Sequence, residues 1–447
     1  MPRSWLIEFR ALLLVAAPLV LAQLAQNGMS FVDTVMIGRL GPSSLAGMAL
    51  GATVFSLVLI SCMALVMSVS PLAAQAVGAG RPEEAAKIAR HGLVMALLIA
   101  VPVALFVANA APLLRYAGQE ASIVASAETY LRAVAFAFPG AFSVVALRGF
   151  LEGHGDTRPI MFIAVGGVLL NAATNELLIF GRLGLPALGL PGAGYATSFT
   201  YAVMALALGV VIARRYAALR VFSGWKTPDL SLYRELLAVG WPISLTLGFE
   251  VGLFSAAALV MGRFGEAPLA GHQIAIQMSS LTFMVPLGIG IAAGIRVGQA
   301  AGRKDARGVR LAGWMGMALA AMFMVFAAAT YLLAPRAIVA LFLDLRDPVN
   351  AAVIGYATSF LVLAGLFQVF DGVQVAAAGA LRGLKDTRMP MFITLLAYWL
   401  IGLPVGMLGA FTFGLGPRGM WFGLIIALVV AALLLSTRFR LLTRELR

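Results

Sequence analysis

The chain has 447 residues, of which 61% are hydrophobic and only 11% charged, with a formal net charge of +13 and a mean hydropathy of +0.96. A soluble domain carries roughly a quarter charged residues, so a soluble globular enzyme is excluded and the apolar surplus must face lipid. One cysteine, Cys62, excludes a disulfide framework and a cysteine metal cluster, and His91, His154 and His272 stand far apart in sequence.

A spanning helix needs about 20 mostly apolar residues, and twelve such stretches are predicted in chain order. The first, 11–37, follows Arg3 and Arg10 as a secretory signal does, but its apolar run continues past Gln26 toward Asp33. That is too long for a signal segment, so an uncleaved helix is predicted. Five more follow at 47–71, 92–113, 123–147, 159–180 and 192–212. After a basic stretch, 213–235, come 236–260, 270–295, 311–333, 351–380, 390–412 and 420–437. Of the 32 Lys and Arg, 24 fall in the N-terminus, every second connection and the C-terminal tail. The alternate connections hold only Arg39, Arg115, Arg182, Arg263, Arg336, Arg346 and Arg418, and Arg132 lies within the fourth helix. Retained positive charge marks the cytoplasmic side, which predicts both termini inside the cytoplasmic (inner) membrane. The basic pI of about 10.5 is thus a topology signal rather than a nucleic-acid footprint.

The chain repeats itself. Gly38-Arg39-Leu40-Gly41 and Leu45-Ala46-Gly47 recur as Gly262-Arg263-Phe264-Gly265 and Leu269-Ala270-Gly271, an offset of 224 that also carries Pro18 to Pro242 and Gln75 to Gln299. Ala146-Leu147-Arg148-Gly149 and Asp156-Thr157-Arg158 recur as Ala380-Leu381-Arg382-Gly383 and Asp386-Thr387-Arg388, at offsets of 234 and 230. Six helices per copy is an even number, so both copies enter the membrane from one side as parallel repeats. The expected fold is all-α: twelve transmembrane helices in two parallel six-helix lobes, residues 1–220 and 221–447, around a central cavity. No Gly-rich phosphate loop with its Lys and Ser/Thr is present, so no nucleotide site is expected and no cofactor is called for.

Three acids interrupt apolar helices: Asp33, Glu250 and Asp371. An ionised carboxylate in the membrane costs several kcal/mol unless it faces water or a partner, and such residues mark ion or substrate pathways. No Lys or Arg within a span is available to them, so the expected counter-ion is mobile: H+, Na+ or a cationic substrate. A carboxylate that must release one cation before taking another couples their fluxes, which is antiport. Asn171 and Asn175 lie one turn apart on the fifth helix, where Asp33 can supply a partner; helix packing through amide bonds is an equal reading. Gln26, two turns before Asp33, is the counterpart of Glu250 at offset 224. Pro18 and Pro242 lack the N–H their helices need and are candidate bends. His272 reads as structural rather than as a proton relay.

These residues resemble those of the multidrug and toxic compound extrusion (MATE) family, in its NorM branch. The likeness rests on Phe31-Val32-Asp33-Thr34-Val35-Met36-Ile37-Gly38, on Gln75-Ala76-Val77-Gly78-Ala79-Gly80, and on the Leu147-Arg148-Gly149 and Asp156-Thr157-Arg158 pair with its second copy. The resemblance implies export of cationic amphiphilic drugs and dyes, and with it antibiotic resistance, driven by inward Na+ or H+. It also implies that Glu250 and Asp371 form the second lobe's cation site, a possible Na+ site included, and that Asp33, Asn171, Asn175 and Thr197 form the first lobe's polar site, beside a helix that bends near Pro18. Phe367 departs from the tyrosine that NorM-like chains can carry one turn before Asp371, which weakens Na+ as coupling ion and favours H+. A monomer working among membrane lipids is expected, without nucleic acid. The rival reading is a lipid or lipid-linked oligosaccharide flippase, which would line its cavity with Arg and Lys. A membrane enzyme lacks a nucleophile–base pair or metal cluster here.

Overall fold

The computed structural model describes residues 2–184, 186–223 and 228–446; positions 224–227 of the predicted linker lie outside the described residues. Among the described residues the chain is helical throughout and holds no strand. Helix α1 (Pro2–Gly38) is followed by α2 (Ser44–Gly78), α3 (Pro82–Ala108), α4 (Ala121–Val134 and Ala137–Gly153), α5 (Arg158–Phe180) and α6 (Leu190–Arg215). Then come α7 (Leu230–Gly262), α8 (Glu266–Gly302), α9 (Ala306–Leu333), α10 (Pro348–Gly383), α11 (Arg388–Thr412) and α12 (Pro417–Glu445). Eleven of these are each long and apolar enough to cross a membrane, and α4 completes twelve as a pair bent by 48°. The protein is therefore a multi-pass membrane protein. Its outer faces carry bare aliphatic and aromatic side chains such as Leu98, Leu105, Leu169, Leu206 and Phe326, which only lipid can cover.

The duplicated motifs acquire physical roles. Gly41 and Gly265, repeat counterparts, both adopt φ 107°, a backbone open only to glycine, and each turns the chain into the next long helix. The glycine of each Leu-Arg-Gly motif lets helices approach within backbone contact: a Cβ on Gly383 would stand 2.4 Å from the Gly294 carbonyl oxygen, and one on Gly149 would stand 3.0 Å from the Ser70 nitrogen. Membrane helices lack a hydrophobic drive toward one another, so small residues at the contact do that work. Each Asp-Thr-Arg motif anchors the end of its own lobe's last helix. Asp156 pairs with Arg215 of α6 at 2.9 Å, and Asp386 with Arg438 of α12 at 2.8 Å.

By packing, the chain divides into two compact units that exchange half-helices relative to the covalent halves. One unit comprises Met1–Val20 with Leu245–Arg447, and the other Leu21–Ser244. Each boundary falls two residues beyond Pro18 or Pro242. The exchanged pieces are tied into their units by polar contacts. Glu8 takes a two-pronged bond from Arg296 of α8 at 2.9 and 2.6 Å, while Asp229, before α7, accepts from Lys87 of α3 at 2.6 Å and donates its N–H to His91 at 3.1 Å. The Lys87 ammonium holds the Asp229 carboxyl well below the usual carboxylate range. Helix α1 runs unbroken through Pro18.

Candidate functional site

Each unit carries one buried polar cluster. In the unit Leu21–Ser244, Asp33 is 6% exposed and Asn171 and Asn175 are fully buried. The Asn175 amide donates to Asp33 Oδ1 at 2.5 Å and to Asn171 Oδ1 at 3.2 Å, and the Thr197 hydroxyl donates to Asp33 Oδ2 at 3.2 Å. Helices α1, α5 and α6 thus meet at one carboxylate. The Asn171 side chain also acts on the Asp33 carboxylate, while Asn175 Oδ1 is left without a partner, so the cluster keeps a free acceptor. Tyr130 of α4 and Tyr201 of α6 stand close enough for the Asp33 charge to act on them. Gln26 lies about 10 Å back along α1 and is half-buried; it makes no bond to the cluster. Gln23 instead accepts from Arg148 at 3.0 Å, a guanidinium already paired with Glu152 at 2.6 Å.

In the other unit, α7 and α10 bring Glu250 and Asp371 to one amide. Gln374 Nε2 lies 3.5 Å from Glu250 Oε1 and 3.5 Å from Asp371 Oδ1, so the two oxygens are separated by no more than the sum of those distances. Asp371 is 5% exposed and Gln374 2%, while Glu250 keeps more accessible surface. Arg382, in the last turn of α10 and outside the predicted span 351–380, acts electrostatically on Glu250. Phe367 is buried in an aromatic stack, its ring 5.8 Å from that of Trp421 and Phe360 at 5.4 Å on the same indole. A hydroxyl comes nonetheless from another helix. Tyr398 of α11 is fully buried, within electrostatic reach of both acids, and its OH has no partner. It sits in a π-helical stretch, Leu395–Gly402, a distortion that recurs at functional sites. The neighbouring Trp399 indole donates to the Phe249 carbonyl at 3.2 Å, holding α11 against α7 beside Glu250.

Sequence reading found the acids, the asparagines and Thr197, but missed Gln374, Tyr398, Tyr130 and Tyr201. The one signal for Gln374 was its place one turn after Asp371 on the same helix face. Arg132, the only basic residue assigned to a span, is surface-exposed and paired with Glu128 at 2.5 Å.

The sequence profile of the MatE family matches this chain twice, over residues 18–177 and 242–408, and the two matches begin at Pro18 and Pro242, one repeat apart. The chain belongs to the MATE family. It falls in the NorM branch: a probable multidrug resistance protein NorM of Mesorhizobium japonicum is 41% identical over 97% of this chain and 94% of its own. One of Pseudomonas putida is 42% identical over 97% and 94%. Among solved structures, a eukaryotic MATE transporter shares the fold with a TM-score of 0.87 at 22% identity, over 99% of both chains. A MOP superfamily transporter from Pyrococcus furiosus does so at 0.87 and 23%, over 98% of this chain and 96% of that one. This MATE chain is a transporter and not an enzyme.

Proposed function

We propose that the protein is a multidrug efflux antiporter of the cytoplasmic membrane, with both termini inside, that exports cationic amphiphilic compounds in exchange for entering protons. The observation that carries this reading is the Glu250–Asp371 pair under the single Gln374 amide. Two carboxylates this close in a low-dielectric interior repel one another and gain by admitting a cation. A proton satisfies them with one O–H bond, whereas a dehydrated Na+ needs several oxygens. Gln374 turns N–H rather than oxygen toward both acids, which favours H+, and the Tyr398 hydroxyl adds one oxygen within reach of the pair, short of the several that a dehydrated Na+ needs. Asp33 with Asn171, Asn175 and Thr197 is the second coupling site, in the other lobe. The acids also favour cationic cargo over the anionic pyrophosphate lipids of a flippase.

Proteoliposomes loaded with ethidium test the reading, with a pH gradient and a Na+ gradient imposed separately. Ethidium leaves under the pH gradient without added Na+. Export that follows only the Na+ gradient, and is indifferent to collapse of the pH gradient, refutes proton coupling.

A further inference from the structure

A second polar track runs through the unit that holds Glu250 and Asp371, between those acids and the face where α7 ends and α8 begins. The Gln368 amide of α10 donates to the Thr282 hydroxyl of α8 at 2.9 Å, and that hydroxyl lies 3.0 Å from the Tyr331 phenol of α9. Ser279 and His272 continue the same face of α8, three and ten residues back, so the stripe extends about 15 Å along the helix. Tyr331 stands two residues from the end of α9. Gln368 stands one turn before Asp371 on α10. All of these side chains except Thr282 are less than 9% exposed, Gln368 and His272 at 0% and 1%. Three polar atoms on the track have no protein partner: Gln368 Oε1, Ser279 Oγ and His272 Nδ1.

Hydrogen bonds between membrane helices are the ordinary explanation for such groups, and the internal repeat tests it. At the offsets of the repeat, His272, Ser279 and Thr282 fall opposite Met48, Phe55 and Val58; Tyr331 falls opposite Val107; Gln368 and Asp371 fall opposite Val134 and Ala137. Every counterpart is apolar, and Met48, Phe55, Val107, Val134 and Ala137 are buried. The corresponding positions of the other lobe are filled by apolar side chains, so the repeated fold does not by itself call for this track. A buried polar group without a partner costs about 1–3 kcal/mol, and unpaired buried groups take water as their partner. A line of hydroxyls, an amide and an imidazole that ends at a membrane carboxylate is the composition of a proton path.

We propose that His272, Ser279, Thr282, Tyr331 and Gln368 form the route by which the coupling proton travels between that face and Asp371. The inference rests on the proton reading above and adds its pathway. The proton enters at the start of α8 and passes between hydroxyl oxygens and the waters they hold, each O–H breaking as the next forms. It ends as the O–H of the Asp371 carboxylic acid; release into the cell leaves the carboxylate. The amide of Gln368 carries no proton itself and orients the last hydroxyl.

The test uses full-length protein in proteoliposomes with a trapped pH dye, and ethidium as cargo. The isosteric double variant Thr282→Val with Tyr331→Phe removes both hydroxyls and keeps the volume. It lowers the initial rate of ethidium-coupled proton flux about tenfold and leaves the ratio of protons to ethidium unchanged. Ethidium affinity in detergent stays within about twofold. The rate slows further in D2O than it does for wild type, because proton delivery has become limiting. Should the double variant not bind ethidium, the single variants decide: Thr282→Ser, which returns a hydroxyl, restores flux relative to Thr282→Val. Flux in the hydroxyl-free variants within about twofold of wild type overturns the route alone. Wild-type protein that shows no ethidium-coupled proton flux overturns the proton reading, and the route with it.

Discussion

Asp371→Asn keeps the shape of the side chain and removes one charge of the pair that Gln374 bridges. Each carboxylate oxygen is 3.5 Å from Gln374 Nε2, so the oxygens are at most about 7 Å apart. At an effective dielectric of about 20, their mutual repulsion is at least about 2.4 kcal/mol. A cation taken up by one acid gains this same amount from the charge of the other, about 2.4 kcal/mol at a separation of about 7 Å. Loss of one acid removes that gain, roughly fiftyfold in cation affinity. The assay is the initial rate of ethidium export from proteoliposomes as a function of the driving cation's concentration. The half-activating concentration rises about fiftyfold in Asp371→Asn and by a similar factor in Glu250→Gln, while ethidium still binds. A shift below about threefold in both variants refutes the shared site.

Other outcomes follow from single contacts. Asn175→Leu removes the 2.5 Å donor from Asp33; hydrogen bonds to a charged group contribute about 1.5–3 kcal/mol, so the melting temperature falls and export under a pH gradient is lost, as read by a thermal-shift and a vesicle assay. Gly383→Val drives a side chain into the Gly294 carbonyl and costs about 1–3 kcal/mol by overpacking, visible as reduced thermal stability in detergent. Lys87→Met leaves Asp229 without its cation. Because that pair depresses the folded-state pKa of Asp229, its contribution is present above the ordinary carboxylate pKa of about 3.9 and fades as pH falls through the lower folded value. The melting difference between variant and wild type is therefore constant from about pH 5 to 8 and closes only in stronger acid.

The architecture was legible because lipid imposes a length on every span and charge marks the connections; the twelve stretches coincide with α1 to α12. The candidate acids were legible for the same reason, since Asp33, Glu250 and Asp371 break apolar runs that tolerate few charges. Their neighbours were harder to read. Tyrosine and glutamine in an apolar helix look like packing, and Gln374, Tyr398, Tyr130 and Tyr201 gained meaning only from helices far away in sequence. The π-helical stretch around Tyr398 also turns that side chain off the face a 3.6-residue period assigns. Gln26 shows the limit of reasoning by repeat: it shares the register of Glu250 but stays outside the Asp33 cluster. The exchange of half-helices between the packed units was invisible for a related reason. A repeat in sequence records covalent order, whereas the packing of each half-helix shows only in contacts such as Glu8–Arg296 and Lys87–Asp229.

The two lobes share a fold but not a chemistry. Asp33, Asn171 and Asn175 fall opposite Ala257, Ile401 and Val405, while Asp371, Gln374 and Tyr398 fall opposite Ala137, Gly140 and Val168. What the copies do keep in common is structural: the turn glycines at 41 and 265, the close-contact glycines at 149 and 383, and the Asp156–Arg215 and Asp386–Arg438 pairs. A buried polar cluster costs stability wherever it is placed, and each lobe demonstrates that the fold is built without the other's cluster. The polar groups therefore answer to a demand other than folding. The geometry differs as well: Glu250 and Asp371 share one amide, Gln374, whereas Asp33 stands alone among the neutral donors Asn175 and Thr197.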